Sequence, residues 1–277
     1  MSDRSLLAVF AHPDDESICA GTLARYAAGG CRVVLVCATR GEVGEISDPA
    51  LATPETLPAV REGELRCATR AMGIGEPIFL GYRDSGMDGT DDNRHPDAFV
   101  NADPAEVVSR LVRIIREVRP QVVITFDETG GYGHPDHIAV WRHTHAAVEA
   151  AATCDDDPDA GEPWQVERIA YAVFAKRFFT ELRELLVSHG EDTSELDEFA
   201  ELGLGFPDDR IHAVVDVSAF LDQKAAAFEC HRTQFGGDTF FSRVSEDETR
   251  QMRSREYFSF GWPAGIAGQM EDDLFPA

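Results

Sequence analysis

The 277-residue sequence predicts a single α/β domain: a mostly parallel sheet flanked by helices, with long loops at one edge. Three observations predict it. Leu6–Ala11, Arg32–Ala38 and Val122–Phe126 are short, nearly continuous apolar runs, the pattern of strands buried on both faces. Segments with helical spacing stand between such runs, so strand, helix and strand alternate as right-handed βαβ units. No internal repeat or low-complexity linker divides the chain. Residues 1–277 therefore read as one domain, with its core at about 5–150 and a C-terminal part that completes the sheet and pocket.

The elements follow in order. After Leu6–Ala11, Ser17–Gly29 has helical spacing (Ile18, Leu23, Tyr26, Ala27) and stops at Gly29-Gly30. Arg32–Ala38, rich in valine, is the second strand. From Thr39 to Pro58 the chain is loop, punctuated by Gly41, Gly44, Pro49, Pro54 and Pro58. A helix is predicted over Ala59–Met72 and a short strand over Pro77–Leu80. Arg83–Asp103 is long and polar, and loops of that length are commonly functional. Asp103 and Pro104 then cap and start an amphipathic helix through Val107, Val108, Leu111, Ile114, Ile115 and Val118. Pro120 ends it, and Val122–Phe126 follows. A second long loop, Asp127–Asp136, leads into a helix over His137–Ala151. Asp155–Glu162 reads as an acidic surface loop, Arg168–Phe174 and His212–Val217 as strands, and Ala219–His231 as a helix. The aromatic, mixed C-terminal stretch shows no period that assigns an element.

Composition narrows the function. Fifty acidic residues against 25 basic ones give a formal charge of -25, which repels nucleic acid and anionic membranes unless a basic patch intervenes, and none is present in the sequence. No apolar stretch approaches the ~18 residues that span a bilayer, and the short N-terminal apolar run is not a signal peptide. Cys19, Cys31, Cys37, Cys67, Cys154 and Cys230 form no CxxC pair and suggest free thiols in a reducing cytoplasm. Homo-oligomerisation is left open by the sequence.

The chemistry sits in two segments. The first strand empties into Ala11-His12-Pro13-Asp14-Asp15-Glu16, and Val122–Phe126 empties into the stretch from Gly130 to His137. Both leave the carboxyl edge of a parallel sheet, where such folds bind ligands. Alone, each His-Pro-Asp reads as a turn with a helix cap; two of them on one edge point to a metal. His12, Asp15 and His137 make a two-imidazole, one-carboxylate set with room for water, whose pKa a divalent ion brings toward ~7. Asp14, beside the ligands, is free to take a proton. His134 is placed to donate to an oxyanion, with Asp136 to hold its tautomer. His95 has no partner spacing; His231, in Cys-His-Arg-Thr-Gln, reads as a helix-end histidine, with reach to the pocket as the alternative.

These segments resemble the PIG-L/LmbE family of zinc deacetylases, and its mycothiol-pathway branch most. Gly41-Glu42-Val43-Gly44-Glu45, Arg61-Glu62-Gly63-Glu64-Leu65 and Arg83-Asp84-Ser85-Gly86-Met87 share in the resemblance, which covers about residues 5–145 well and the rest weakly. The resemblance implies a Rossmann-like fold and removal of acetyl from an N-acetylglucosaminyl small molecule, such as an inositol conjugate. It implies His12, Asp15 and His137 on one zinc per chain, Asp14 as base, His134 with Asp136 behind it, and Tyr132 near the carbonyl. Glu45, Arg61 and Asp84 match positions lining the sugar pocket. Iron(II) suits the same donors. A thiol-conjugate amidase would use the same chemistry on a larger amide. A nucleotide-binding module is disfavoured, because the first turn carries carboxylates where a glycine-rich phosphate loop belongs. The full set of site residues argues against an inactive binding protein.

Overall fold

A computed structural model of the chain describes residues 4–154, 161–201, 203–236, 243–266 and 268–276. Seven strands form one sheet in the order β3-β2-β1-β4-β5-β7-β6. They are β1 (Ser5–Phe10), β2 (Arg32–Cys37), β3 (Ile78–Phe79), β4 (Val122–Thr125), β5 (Arg168–Val173), β6 (Ala213–Asp216) and β7 (Arg255–Trp262). The first five in spatial order run parallel, and β7 pairs antiparallel with both β5 and β6. Every residue of β1, β4 and β5 is buried, as their unbroken apolar runs require when helices cover both faces.

On one face α3 (Pro104–Val118) and α5 (Pro135–Ala151) pack together against β1. α1 (Ala20–Ala28) and α2 (Leu57–Ala71) both pack against α8 (Leu221–Cys230). α3 buries Val107, Leu111, Ile115 and Val118 along one stripe, and the Asp103 side chain accepts from the Ala105 N–H, so the helix starts as its cap predicts. It ends at Arg119, which adopts a left-handed φ of 54°.

The strand order reverses at β1, with β2 on one side and β4 on the other. Chains leaving β1 and β4 therefore open a crevice at the carboxyl edge, the place where this architecture holds ligands.

Several elements depart from the sequence reading. β7 is a long strand that the mixed run from Arg255 to Trp262 concealed; aromatic and small groups alternate only from Phe258 on, and pairing with β5 decides it. α6 (Lys176–His189), α7 (Ser194–Glu201) and α9 (Glu246–Arg253) were not assigned from sequence. Leu182, Leu186 and Leu196 from α6 and α7 form a small apolar cluster of their own, apart from the main core. The long loop after β4 contains a kinked turn, α4 (Gly130–Gly133). Of the acidic loop read at Asp155–Glu162, residues 155–160 lie outside the described set. The last residues fold back on α1, where the Tyr26 hydroxyl donates to Asp273 and accepts from the Leu274 N–H.

One cysteine expectation is corrected. Cys67 of α2 and Cys230 of α8 are joined in a disulfide across 163 residues, with their Cα atoms 5.7 Å apart. Helix packing creates that proximity, and no spacing rule reveals it. The bond removes the cysteine argument for a reducing compartment. Cys19, Cys31 and Cys37 are free and buried, and Cys154 is free and exposed. Among the described residues, no helix is long and apolar enough to cross a membrane.

Candidate active site

The turn after β1 and the N-terminus of α5 meet across the crevice. His12 Nδ1 lies 3.2 Å from His137 Nε2, and Asp15 completes the triangle, with Oδ1 3.2 Å from His137 Nε2 and Oδ2 3.5 Å from His12 Nδ1. Both rings are buried. The outer nitrogens settle their tautomers. His137 Nδ1 donates to the Gly130 carbonyl at 3.1 Å, which leaves the lone pair on Nε2. His12 Nε2 faces Asp136 Oδ2 at 3.2 Å, a carboxylate that also accepts the Ser85 N–H, so the His12 lone pair is on Nδ1. Asp15 Oδ2 accepts the backbone N–H groups of Ala11 and His12, which frees Oδ1.

With His12 neutral, its Nδ1, His137 Nε2 and the Asp15 carboxylate turn lone pairs toward one another. A tetrahedral ion with bonds of ~2.0–2.1 Å holds its ligands about 3.3 Å apart, close to the separations of these atoms. The residues fit a small divalent cation. The cluster also favours positive charge in another way: burial opposes an imidazolium at His12, yet Asp84, Asp136 and Asp15 outweigh it and raise the His12 pKa well above its ordinary value. Two other groupings bring ligand atoms within 4.8 Å of one another, His12 with His134 and His137, and His12 with Asp84 and Asp136.

Local sequence explains this placement. Gly130, at φ 65°, approaches His137 so closely that a Cβ there would lie 2.8 Å from the His137 Cβ. Only glycine lets its carbonyl reach the ring. Phe126, directly after β4, stacks on His137 at 3.9 Å between centroids and holds the ring plane.

Asp14 stands beside this cluster in a left-handed backbone, φ 122°, which few non-glycine residues adopt. Its carboxylate is 3.2 Å from the Arg61 guanidinium. Burial pushes its pKa up to about 6, with Arg61 pulling down and Asp15 adding to the rise. His134 Nδ1 accepts the Asp136 N–H at 3.1 Å, so its proton resides on Nε2. Burial, with His12 and His137 nearby, lowers the His134 pKa to about 4 and keeps the ring neutral. Tyr132 is 54% exposed, and its ring meets that of His137 edge to face, with centroids 5.1 Å apart.

Other candidates are placed differently from expectation. The Asp136 carboxylate addresses His12, and its link to His134 runs through its own main chain. Arg61 is 2% exposed, and its terminal nitrogens are engaged by the Pro13 and Gly41 carbonyls and by Asp14. Asp84 is buried, 3.5 Å from His12 Nε2, and accepts the Gly86 N–H. Glu45 is exposed on the loop after β2. Open clefts of about 610 and 480 Å³ run along the loops at 39–58 and 83–103; both are lined by Glu42 and Arg83, and neither by the histidine cluster.

The pairings of some neighbours were missed. Glu16 and His231 form a buried pair at 2.5 Å behind Asp14, and Glu64 of α2 receives both the N–H and hydroxyl of Thr233. Burial lowers the His231 pKa, but Glu16, Asp14 and Glu64 reverse that and raise it overall. His231 lies 215 residues from Glu16, and no local signal links them.

Comparison with known proteins agrees with this geometry. Residues 7–151 match the family model described as "PIG-L: GlcNAc-PI de-N-acetylase". A 1D-myo-inositol 2-acetamido-2-deoxy-alpha-D-glucopyranoside deacetylase of Geodermatophilus obscurus is 42% identical over 98% of this chain and 97% of its own. A conserved protein of Thermus thermophilus superposes with a TM-score of 0.59 at 28% identity, covering 95% of this chain and 96% of its own. The N,N'-diacetylchitobiose deacetylase of Pyrococcus horikoshii has a TM-score of 0.63 at 20% identity, over 93% and 83% of the two chains, and shares the fold. The chain belongs to the PIG-L family of de-N-acetylases.

Proposed function

We propose that this protein is a zinc-dependent deacetylase that hydrolyses the acetamide of an N-acetylglucosaminyl-inositol to acetate and a free sugar amine. The convergence of His12 Nδ1, His137 Nε2 and Asp15 with Asp14 alongside carries the reading, and the name of the Geodermatophilus relative supports the substrate. A divalent ion held by these three residues supplies Lewis-acid polarisation of water and of the carbonyl. Asp14 accepts the proton of the attacking water, its carboxylate aimed by Arg61. His134, with its proton on Nε2, donates to the oxygen that gains charge as the carbonyl carbon becomes tetrahedral. The C–N bond then breaks, and the proton collected on Asp14 passes to the leaving amine. Asp136 fixes the His12 ring, and the exposed Tyr132 closes on the acetyl group from the side of His137. Asp84 and Glu45 are the polar groups we assign to the sugar.

Iron(II) suits the same donors, so the native metal is read from protein purified without added metal. A thiol-conjugate amide would engage the same residues, but the relative's name supports the smaller substrate.

Free amine released from N-acetylglucosaminyl-inositol tests the reading, with N-acetylglucosamine alone as comparison. Metal-loaded protein is expected to turn over the conjugate faster, and chelation to reduce release to background. No release by protein carrying one ion per chain sinks the proposal.

Gly41→Ala is expected to lower kcat about 10²-fold without touching a reacting group. A Cβ at Gly41, φ 67°, would lie 1.9 Å from Arg61 Nη1 and force the guanidinium away from Asp14. Steady-state amine release on folded, metal-loaded protein checks this; an unchanged kcat means that Asp14 does not depend on Arg61.

A further inference from the structure

The turn that carries Asp14 is held from two directions. Arg61 of α2 grips the carboxylate at 3.2 Å and the preceding Pro13 carbonyl at 2.6 Å. The main chain is held by a separate device. The Asp14 N–H donates to Glu16 Oε2 at 3.0 Å, and Glu16 Oε1 lies 2.5 Å from His231 Nε2. Glu16 is 1% exposed and His231 0%, so neither group exchanges its partner for water.

His231 is itself firmly placed. It follows Cys230, which is bonded to Cys67 of α2. Two residues later, Thr233 gives its N–H and hydroxyl to Glu64, and its carbonyl accepts the Ser47 N–H. The segment is therefore anchored to α2 and to the loop after β2, and it presents one imidazole to the back of the catalytic turn. Asp14 needs such support, because a left-handed backbone at a non-glycine residue persists only where its surroundings enforce it. Relaxation of φ from 122° would swing the carboxylate away from the cluster.

We propose that His231, acting through Glu16, is a positioning residue that keeps Asp14 in its left-handed backbone and so aims its carboxylate at the reacting water. The inference rests on Asp14 being the proton acceptor. His231 is fully buried with its Nε2 on Glu16, and its hold on the Asp14 main chain runs through the Glu16 carboxylate.

Kinetics of four variants test it: His231→Ala, His231→Gln, Glu16→Gln and Asp14→Asn, each with metal content and thermal midpoint measured. His231→Ala is expected to keep one ion per chain and a KM within about twofold, and to lose about 10–100-fold in kcat, the scale of a small misplacement of a catalytic group. His231→Gln, whose amide N–H can still donate to Glu16, is expected to recover most of that loss. A merely structural pair would lower the midpoint without this split between kcat and KM and without rescue. Unchanged kcat per folded, metal-loaded molecule in His231→Ala overturns the proposal. Should that variant fail to fold, Glu16→Gln decides, with about a tenfold fall in kcat at constant KM expected and an unchanged kcat overturning it. Full activity in Asp14→Asn overturns the base assignment itself, and this inference with it. An inactive Asp14→Asn beside a fully active His231→Ala removes only the positioning role.

Discussion

Replacing Asp14 by alanine is expected to lower kcat for amine release by about 10²–10⁴-fold while leaving KM and bound metal nearly unchanged. The carboxylate sits next to, and outside, the triangle formed by His12, Asp15 and His137. Its ionic partner is Arg61, and no ion is needed to account for its position. Its removal is therefore expected to take away the proposed proton acceptor and to spare the proposed ligands. Steady-state kinetics and metal analysis on the same preparation check both halves. Loss of the ion in Asp14→Ala would make Asp14 part of the ligand set, and retained turnover would assign the base elsewhere.

Replacing His137 by alanine is expected to reduce metal content well below one ion per chain and activity to background. His137 is locked by the Gly130 carbonyl on one nitrogen and stacked on Phe126, so its free lone pair has a single direction. Asp136→Asn should act more gently, at about 10–100-fold in metal affinity, because it weakens the partner that orients His12 and not a ligand itself. His134→Ala separates the alternative grouping of three histidines from the one proposed. A protein that keeps its ion but loses turnover fits the donor role of His134, and one that loses its ion makes His134 a ligand. Metal bound per chain, measured after dialysis, decides between them.

The strands that carry the site were legible because burial on both faces leaves an unbroken apolar run, as at Leu6–Phe10 and Val122–Thr125. The helix over Pro104–Val118 was legible from its cap and stripe. β7 was not, since a strand whose hydrogen bonds all go to distant partners shows only a mixed run of aromatic and small residues. α6 and α7 bury few side chains and make their own cluster, so their periodicity is thin.

At the site, the motifs placed His12, Asp14, Asp15, His134 and His137 on two loops of one sheet edge, and the strand order brings those loops together. Arg61 shows what motif reading leaves open: its residue type suits a sugar, and the fold buries it with its guanidinium on Asp14.

Sequence by itself determined the α/β class and the residue types that can hold an ion, because hydrophobic period and donor chemistry are local properties. Tertiary structure alone decided the partner of each donor. The turning of Asp136 to His12, the grip of Arg61 on Asp14, the Cys67–Cys230 bond and the Glu16–His231 pair all join residues far apart in the chain. Such contacts follow from how helices and loops pack around the sheet, where a polar group buried away from water finds its partners within the protein.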